Sequence, residues 1–174
     1  MTPHSVPTPL DIQFLYGTRR EPLQGLLDPQ RAQELLQGLC GLLEVCAYAP
    51  AETSVGEFLA RVLAQEGGAQ YGLFLAVEGD TVVGFLQARC LFEDAEIDYV
   101  AVSPSHRSRG IATRLVEAFE SESLALGASR LLLEVGERNI VARALYASQG
   151  YEIMARRENY YQGREAALVL EKTL

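Results

Sequence analysis

Residues 71–102 carry three strand-like runs with almost nothing between them. The stretch "YGLFLAVEGDTVVGFLQARCLF" (71–92) reads as two strands joined at Gly79-Asp80, and "AEIDYVAV" (95–102) as a further one. Connections this short admit only antiparallel neighbours, because a parallel return needs a crossover of about a dozen residues or more. Such a crossover follows at once: a helix ended by Gly127, then the apolar strand "SRLLLEV" (129–135), expected to be buried on both faces. Antiparallel strands feeding a βαβ unit exclude a doubly wound Rossmann sheet. They predict an α+β fold on a mixed, mostly antiparallel sheet.

The flanks fit that plan. "LDIQFLYG" (10–17) alternates as a first strand. Asp28 followed by Pro29 starts a helix, with Ala32, Leu35, Leu36, Leu39, Leu42, Leu43 and Cys46 at three- and four-residue spacing. Ser54 and Glu57 form a capping box for a second helix, whose apolar face is Phe58, Leu59, Val62 and Leu63. Asn139 caps a last helix that Gly150 ends, and "YEIMARRENYY" with "REAALVLEKTL" closes the chain as a hairpin. The expected order is β-αα-β-β-β-α-β-α-β-β, a sheet flanked by about four helices. Prolines at 3, 7 and 9 mark residues 1–9 as a flexible lead, leaving 10–174 as a single domain.

Charge narrows the partners. With 15 basic and 23 acidic residues the formal charge is −8. Outside 106–114 and 156–164 there is no basic patch, so direct nucleic-acid binding is not expected. A cationic partner suits the chain better, and the run Glu93, Asp94, Glu96 and Asp98 is a candidate attractor for a basic peptide. Cys40, Cys46 and Cys90 form no CxxC pair, and only His4 and His106 exist, so no zinc site is expected. The start lacks the pattern of a signal peptide and no 18-residue apolar run exists. A cytoplasmic protein with reduced thiols, off the membrane, is the expectation.

Against this acidity, "SPSHRSRGIATRL" (103–115) crowds His106, Arg107 and Arg109 at the start of a helix. Cations are disfavoured at that end of the helix dipole, so their presence asks for an anion. The first-turn N–H groups have no intrahelical partner, and Gly110 lets backbone approach a phosphate without a β-carbon in the way. Neither the P-loop nor the G-x-G-x-x-G dinucleotide pattern is present.

Arg107-Ser108-Arg109-Gly110-Ile111-Ala112 instead resembles the pyrophosphate motif of the GNAT family of N-acetyltransferases: Gln or Arg, two residues, Gly, one residue, then Gly or Ala. "IDYVAVSPSHR" resembles that family's fourth strand, and "LLLEVGERNIVARALYASQGYE" (131–152) its later "LEV…N…A…LY…G-F/Y" block. The ending "RRENYYQGREAALVLEKTL" resembles the RimI-type branch, which acetylates the N-terminal alanine of a ribosomal protein. Roughly residues 70–174 carry the likeness. The Phe-Pro-Trp segment that often follows the first helix there has no clear counterpart, "CAYAPAET" taking its place.

The resemblance implies acetyl-CoA as co-substrate and no metal. It puts the pyrophosphate on Arg107, Ser108, Arg109, Gly110, Ile111, Ala112 and Thr113. Val100, Ala101 and Val102 would lie along the thioester and pantetheine arm beside a strand bulge, and Asn139 would also contact acetyl-CoA. Glu134 takes the place of the base and Tyr146, twelve residues on, that of the acid protonating the thiolate. Tyr160 and Tyr161 are candidate walls of a peptide groove, and His106 is expected to ride the loop surface.

The implied activity is acetyl transfer to a primary amine, foremost the N-terminal α-amine of a protein such as a ribosomal protein. An α-amine, with pKa near 8 against about 10.4 for lysine, costs about 3 kcal/mol less to neutralise and suits a single modest base. A small-molecule amine acetyltransferase (polyamine, antibiotic or amino acid) and a non-catalytic CoA-binding module remain alternatives.

Overall fold

The computed structural model describes residues 10–16, 37–39, 41–42, 70–161 and 165–174. Seven strands form one sheet: β1 (Leu10–Tyr16), β2 (Gln70–Glu78), β3 (Thr81–Leu91), β4 (Asp94–Val102), β5 (Arg130–Gly136), β6 (Glu152–Tyr161) and β7 (Glu165–Thr173). Their spatial order is β1-β2-β3-β4-β5-β7-β6. All neighbours are antiparallel except β4 and β5, which the helix α1 (Ile111–Ala125) joins as a parallel crossover. The helix α2 (Ile140–Ser148) follows β5, with Asn139 as its N-cap. This is the α+β architecture expected.

Period-two alternation sorts side chains between two cores. Phe74 and Ala76 of β2 face α1, where Ile111, Leu115, Val116 and Phe119 are buried with Leu131 and Leu133 of β5. Phe119 meets Phe74 edge-on, with ring centroids 6.3 Å apart. On the opposite face Leu73, Leu75, Val77, Val82 and Phe85 pack with Leu39 and Leu42. Residues 37–39 and 41–42 are helical, as the apolar spacing predicts; the rest of that helix and the one expected from Ser54 lie outside the described residues, as does the lead 1–9.

Two features open the sheet at its centre. First, Gln87 pairs with Tyr99 but Ala88 pairs with Ile97, which leaves Asp98 as a bulged residue in β4. A bulge bends its strand and increases local twist. Second, β4 and β5 pair only from Asp94–Arg130 to Ile97–Leu133. Beyond that point β4 stays with β3, while Glu134, Val135 and Gly136 follow β7. The two parallel strands therefore part into a wedge.

One expectation needs correcting. Strand β5 is not buried on both faces: Leu131, Leu133 and Val135 are buried, but Leu132 and Glu134 are only partly so. Glu134 faces the wedge and Leu132 a smaller hollow beside Phe92, so one face of the strand meets open space.

Candidate active site

The wedge continues into a cleft of about 1080 Å³ between β4, β5, the start of α1 and the start of α2. Its walls include Val100, Ala101, Val102, Arg107, Ser108, Gly110, Ile111, Ala112, Thr113, Glu134, Asn139 and Tyr146, residues far apart in sequence. Tyr160 and Tyr161 line it as well.

The strand wall offers backbone. Ser103 N–H donates to Val83 O at 2.9 Å, which fixes the hydrogen-bond phase along β4. Antiparallel alternation then commits Ala101 to Phe85 and turns the N–H and C=O of Val100 and Val102 toward the cleft. The Val102 carbonyl already accepts from Arg107 Nε at 3.3 Å, which ties loop to strand.

The loop wall offers an anion cradle. Ser108 and Gly110 both have positive φ, 60° and 73°, and Gly110 is the N-cap of α1 without any side-chain cap. The first intrahelical bond is Arg114 N–H to Gly110 O, so helix geometry leaves the N–H groups of residues 111–113 to point outward. A β-carbon placed on Gly110 would meet nothing within 4 Å. That open space, bounded by backbone donors at a positive dipole end, fits a pyrophosphate.

Arg109 is the exception among the predicted anion ligands. It is absent from the cleft wall because Glu78, at the end of β2, takes its guanidinium at 2.5 Å. The hydrogen bond and charge of Arg109 hold the Glu78 carboxyl below the usual carboxylate range. His106 is not merely on the surface. Its Nε2 lies 3.3 Å from Glu78, its Nδ1 2.9 Å from Ser105 Oγ, and it lines the cleft. The loop is thus braced from beneath by a carboxylate that the sequence alone gave no reason to place there.

At the wedge, Tyr146 is 6% exposed and its ring meets Tyr151 edge-on at 5.7 Å. Burial pushes the Tyr151 hydroxyl strongly up, aided by the nearby Glu120 carboxylate. Asn139 Oδ1 accepts from Ala142 N–H at 3.2 Å, so the side chain proposed to touch acetyl-CoA also caps α2. Glu134 is ion-paired with Arg157 Nη1 at 2.6 Å, and its carboxylate raises the pKa of the nearby Tyr160 hydroxyl.

The acidic run is already neutralised in part. Asp94 makes a two-point contact with Arg130, and Arg89 pairs with both Glu96 and Asp98 at 2.6 and 3.2 Å. Gln87 donates a further bond to Asp98 at 2.7 Å. Cys90 is half-buried and free, and burial pushes its thiol up; Cys40 and Cys46 fall outside the described residues. Among the described residues no cluster of His, Cys, Asp or Glu could hold a metal, and no helix is long and apolar enough to cross a membrane.

A family model for the acetyltransferase (GNAT) family matches residues 39–151. The ribosomal protein bS18-alanine N-acetyltransferase of Haemophilus ducreyi is 33% identical over 107 residues, 59% of this chain and 74% of that protein. The crystal structure of the ribosomal-protein-S18-alanine N-acetyltransferase from Escherichia coli superposes with a TM-score of 0.72 at 23% identity, over 95% of this chain and 94% of that one. A GNAT family acetyltransferase from Elizabethkingia anophelis with acetyl-CoA bound gives 0.66 at 19% identity, over 94% and 98% of the two chains. The match across both the wedge and the cradle, on a cleft whose backbone donors fit a pyrophosphate, makes this chain a member of the GNAT family and an acetyl-CoA-dependent N-acetyltransferase.

Proposed function

We propose that the acceptor is the N-terminal α-amine of a protein, an alanine-first ribosomal protein being the leading candidate, and that transfer is direct. The observation that carries the reading is the placement of Glu134 and Tyr146 on one cleft. The anion cradle lies at one end of it, and Tyr160 and Tyr161 stand on its wall. Acetyl-CoA supplies an activated acyl carbon and a thiolate leaving group. Residues 107, 108 and 110–113 would hold the pyrophosphate, and the backbone of Val100 and Val102 the arm that leads to the thioester. Asn139, whose Oδ1 is taken by the α2 cap, would donate its amide N–H2 to that arm.

Glu134 takes the proton that the amine must lose, directly or through water, as the new C–N bond forms. The O–H of Tyr146 gives a proton to the sulfur as the C–S bond breaks. Tyr160 and Tyr161, packed edge-on with centroids 5.1 Å apart, make a wall against which a peptide can lie. The likeness to enzymes named for a ribosomal alanine supports a peptide acceptor. A ribosomal acceptor would place the work in the cytoplasm.

The test is a competition at equal concentration between an alanine-first peptide with early basic residues, an internal-lysine peptide, free lysine and spermidine. The expected ranking by kcat/KM puts the alanine peptide first. Preference for a small amine, with no acetylated peptide by mass spectrometry, would overturn the peptide reading and leave the acetyl-CoA chemistry in place.

A further inference from the structure

The carboxylate proposed as base is engaged from the solvent side by a residue the reaction scheme does not yet use. Arg157 Nη1 lies 2.6 Å from Glu134 Oε1, with the arginine side chain 57% exposed and the glutamate 16%. The same guanidinium sits over the Tyr160 ring, 5.7 Å from its centroid. The Glu134 carboxylate in turn holds the Tyr160 hydroxyl above its usual pKa.

In a regular strand, residues 157 and 160 would point to opposite faces of the sheet. The pairing shows why they do not. Arg157 pairs with Ala167, yet Tyr161 pairs with Glu165, so 158–160 are set against Ala166 alone. Asn159 turns that bulge with φ of 52°. The irregularity brings Arg157 and Tyr160 to the same carboxylate. Neighbouring Arg156 is spent elsewhere, on Glu137 at 2.8 Å and on Glu158.

We infer that Arg157 is a positioning residue: it fixes the plane of the Glu134 carboxylate so that the remaining lone pairs face the incoming amine. An ionised carboxylate offers about four acceptor sites. The Arg157 ion pair engages Oε1 and leaves Oε2 to the cleft, which sets the orientation of both oxygens. A glutamate on a strand facing a cleft otherwise has free rotation about its last bonds, which costs rate when a proton must move along one line. The inference rests on the reading of Glu134 as base.

Four proteins test it with the alanine-first peptide: Arg157→Ala, Arg157→Lys, Glu134→Gln, and the Arg157→Ala/Glu134→Gln double variant. Arg157→Ala should lower kcat about tenfold or more, with acetyl-CoA affinity by calorimetry and melting temperature close to native. Arg157→Lys should recover most of that loss, since a cation able to pair with Glu134 is retained. The double variant should be no slower than Glu134→Gln alone, the mark of a residue acting through its partner. A native kcat in Arg157→Ala overturns the inference. So do losses that multiply in the double variant, which would leave Glu134 as base but Arg157 working independently. If Glu134→Gln itself turns over at the native rate, the base reading falls, and Arg157 falls with it.

Discussion

Glu78 and Arg109 stand 31 residues apart in sequence and 2.5 Å apart in space, the carboxylate of a strand end holding an arginine of the loop that leads into α1. The pair, helped by His106, keeps the Glu78 pKa below its ordinary value of 4.5. A group so depressed contributes stability that is full above the unfolded value and lost as pH falls through the folded one. Glu78→Gln should therefore melt lower than the native protein at pH 7. The gap should shrink as pH falls below about 4. Melting curves at neutral and acid pH check this, and a gap unchanged at acid pH would assign Glu78 no titrating role.

Gly110 has φ of 73° with nothing within 4 Å of where its β-carbon would be. Gly110→Ala should cost roughly 1 kcal/mol of stability through backbone strain alone. Gly110→Asp adds a negative charge where phosphate is proposed to sit, and should weaken acetyl-CoA binding at least tenfold beyond the alanine variant. Calorimetric titration of both separates strain from repulsion. Equal affinities would move the pyrophosphate off this loop.

Tyr146→Phe should keep the fold, because the ring stays in the core edge-on to Tyr151. It should lower kcat by roughly 10²–10⁴-fold, the usual worth of a positioned general acid. Acetyl-CoA affinity should not change. Steady-state kinetics with a thiol-release readout measures the effect, and a near-native kcat would hand protonation of the thiolate to another group.

Gly84 lies under the first turn of α1. A β-carbon there would come within 3.1 Å of Ile111 Cγ2 and 3.2 Å of the Ala101 carbonyl oxygen. The second contact is backbone and cannot swing away. Gly84→Val should destabilise by about 1–3 kcal/mol, a fall of roughly 2–12 °C in melting temperature. It should also loosen the cradle, since the same helix start forms both. Thermal unfolding with and without CoA checks the two effects together.

Much of this was legible because it is local. The turn at Gly79-Asp80, the cap at Asn139 and the stops at Gly127 and Gly150 are short-range signals, and each falls where the structure has it. The cradle was legible for the same reason: strand, glycine and helix start are consecutive in the chain. What the sequence withheld depends on strands meeting at a distance. Nothing in residues 103–115 reveals that Glu78 will claim Arg109. The alternation of "RRENYY" places Arg157 and Tyr160 on opposite faces, until a bulge at Asn159 brings them together. The acidic run looked like an electrostatic lure, yet Arg89 and Arg130 arrive from a neighbouring strand and from across the crossover to pair with it.

The parting of β4 from β5 gives this sheet inner rims as well as outer ones. An outer rim such as β6 faces every other protein in solution, and its register is broken by irregularities near Met154 and near Asn159 that spoil it as a template. The inner rim at Val100–Val102 needs no such spoiling. It is walled by β5 on one side and roofed by the start of α1, so a whole foreign strand with its own neighbours cannot reach it. Access to it is through the cleft between β4 and β5. The same geometry that would admit a slender amide-bearing ligand thereby keeps this strand edge from pairing with another chain.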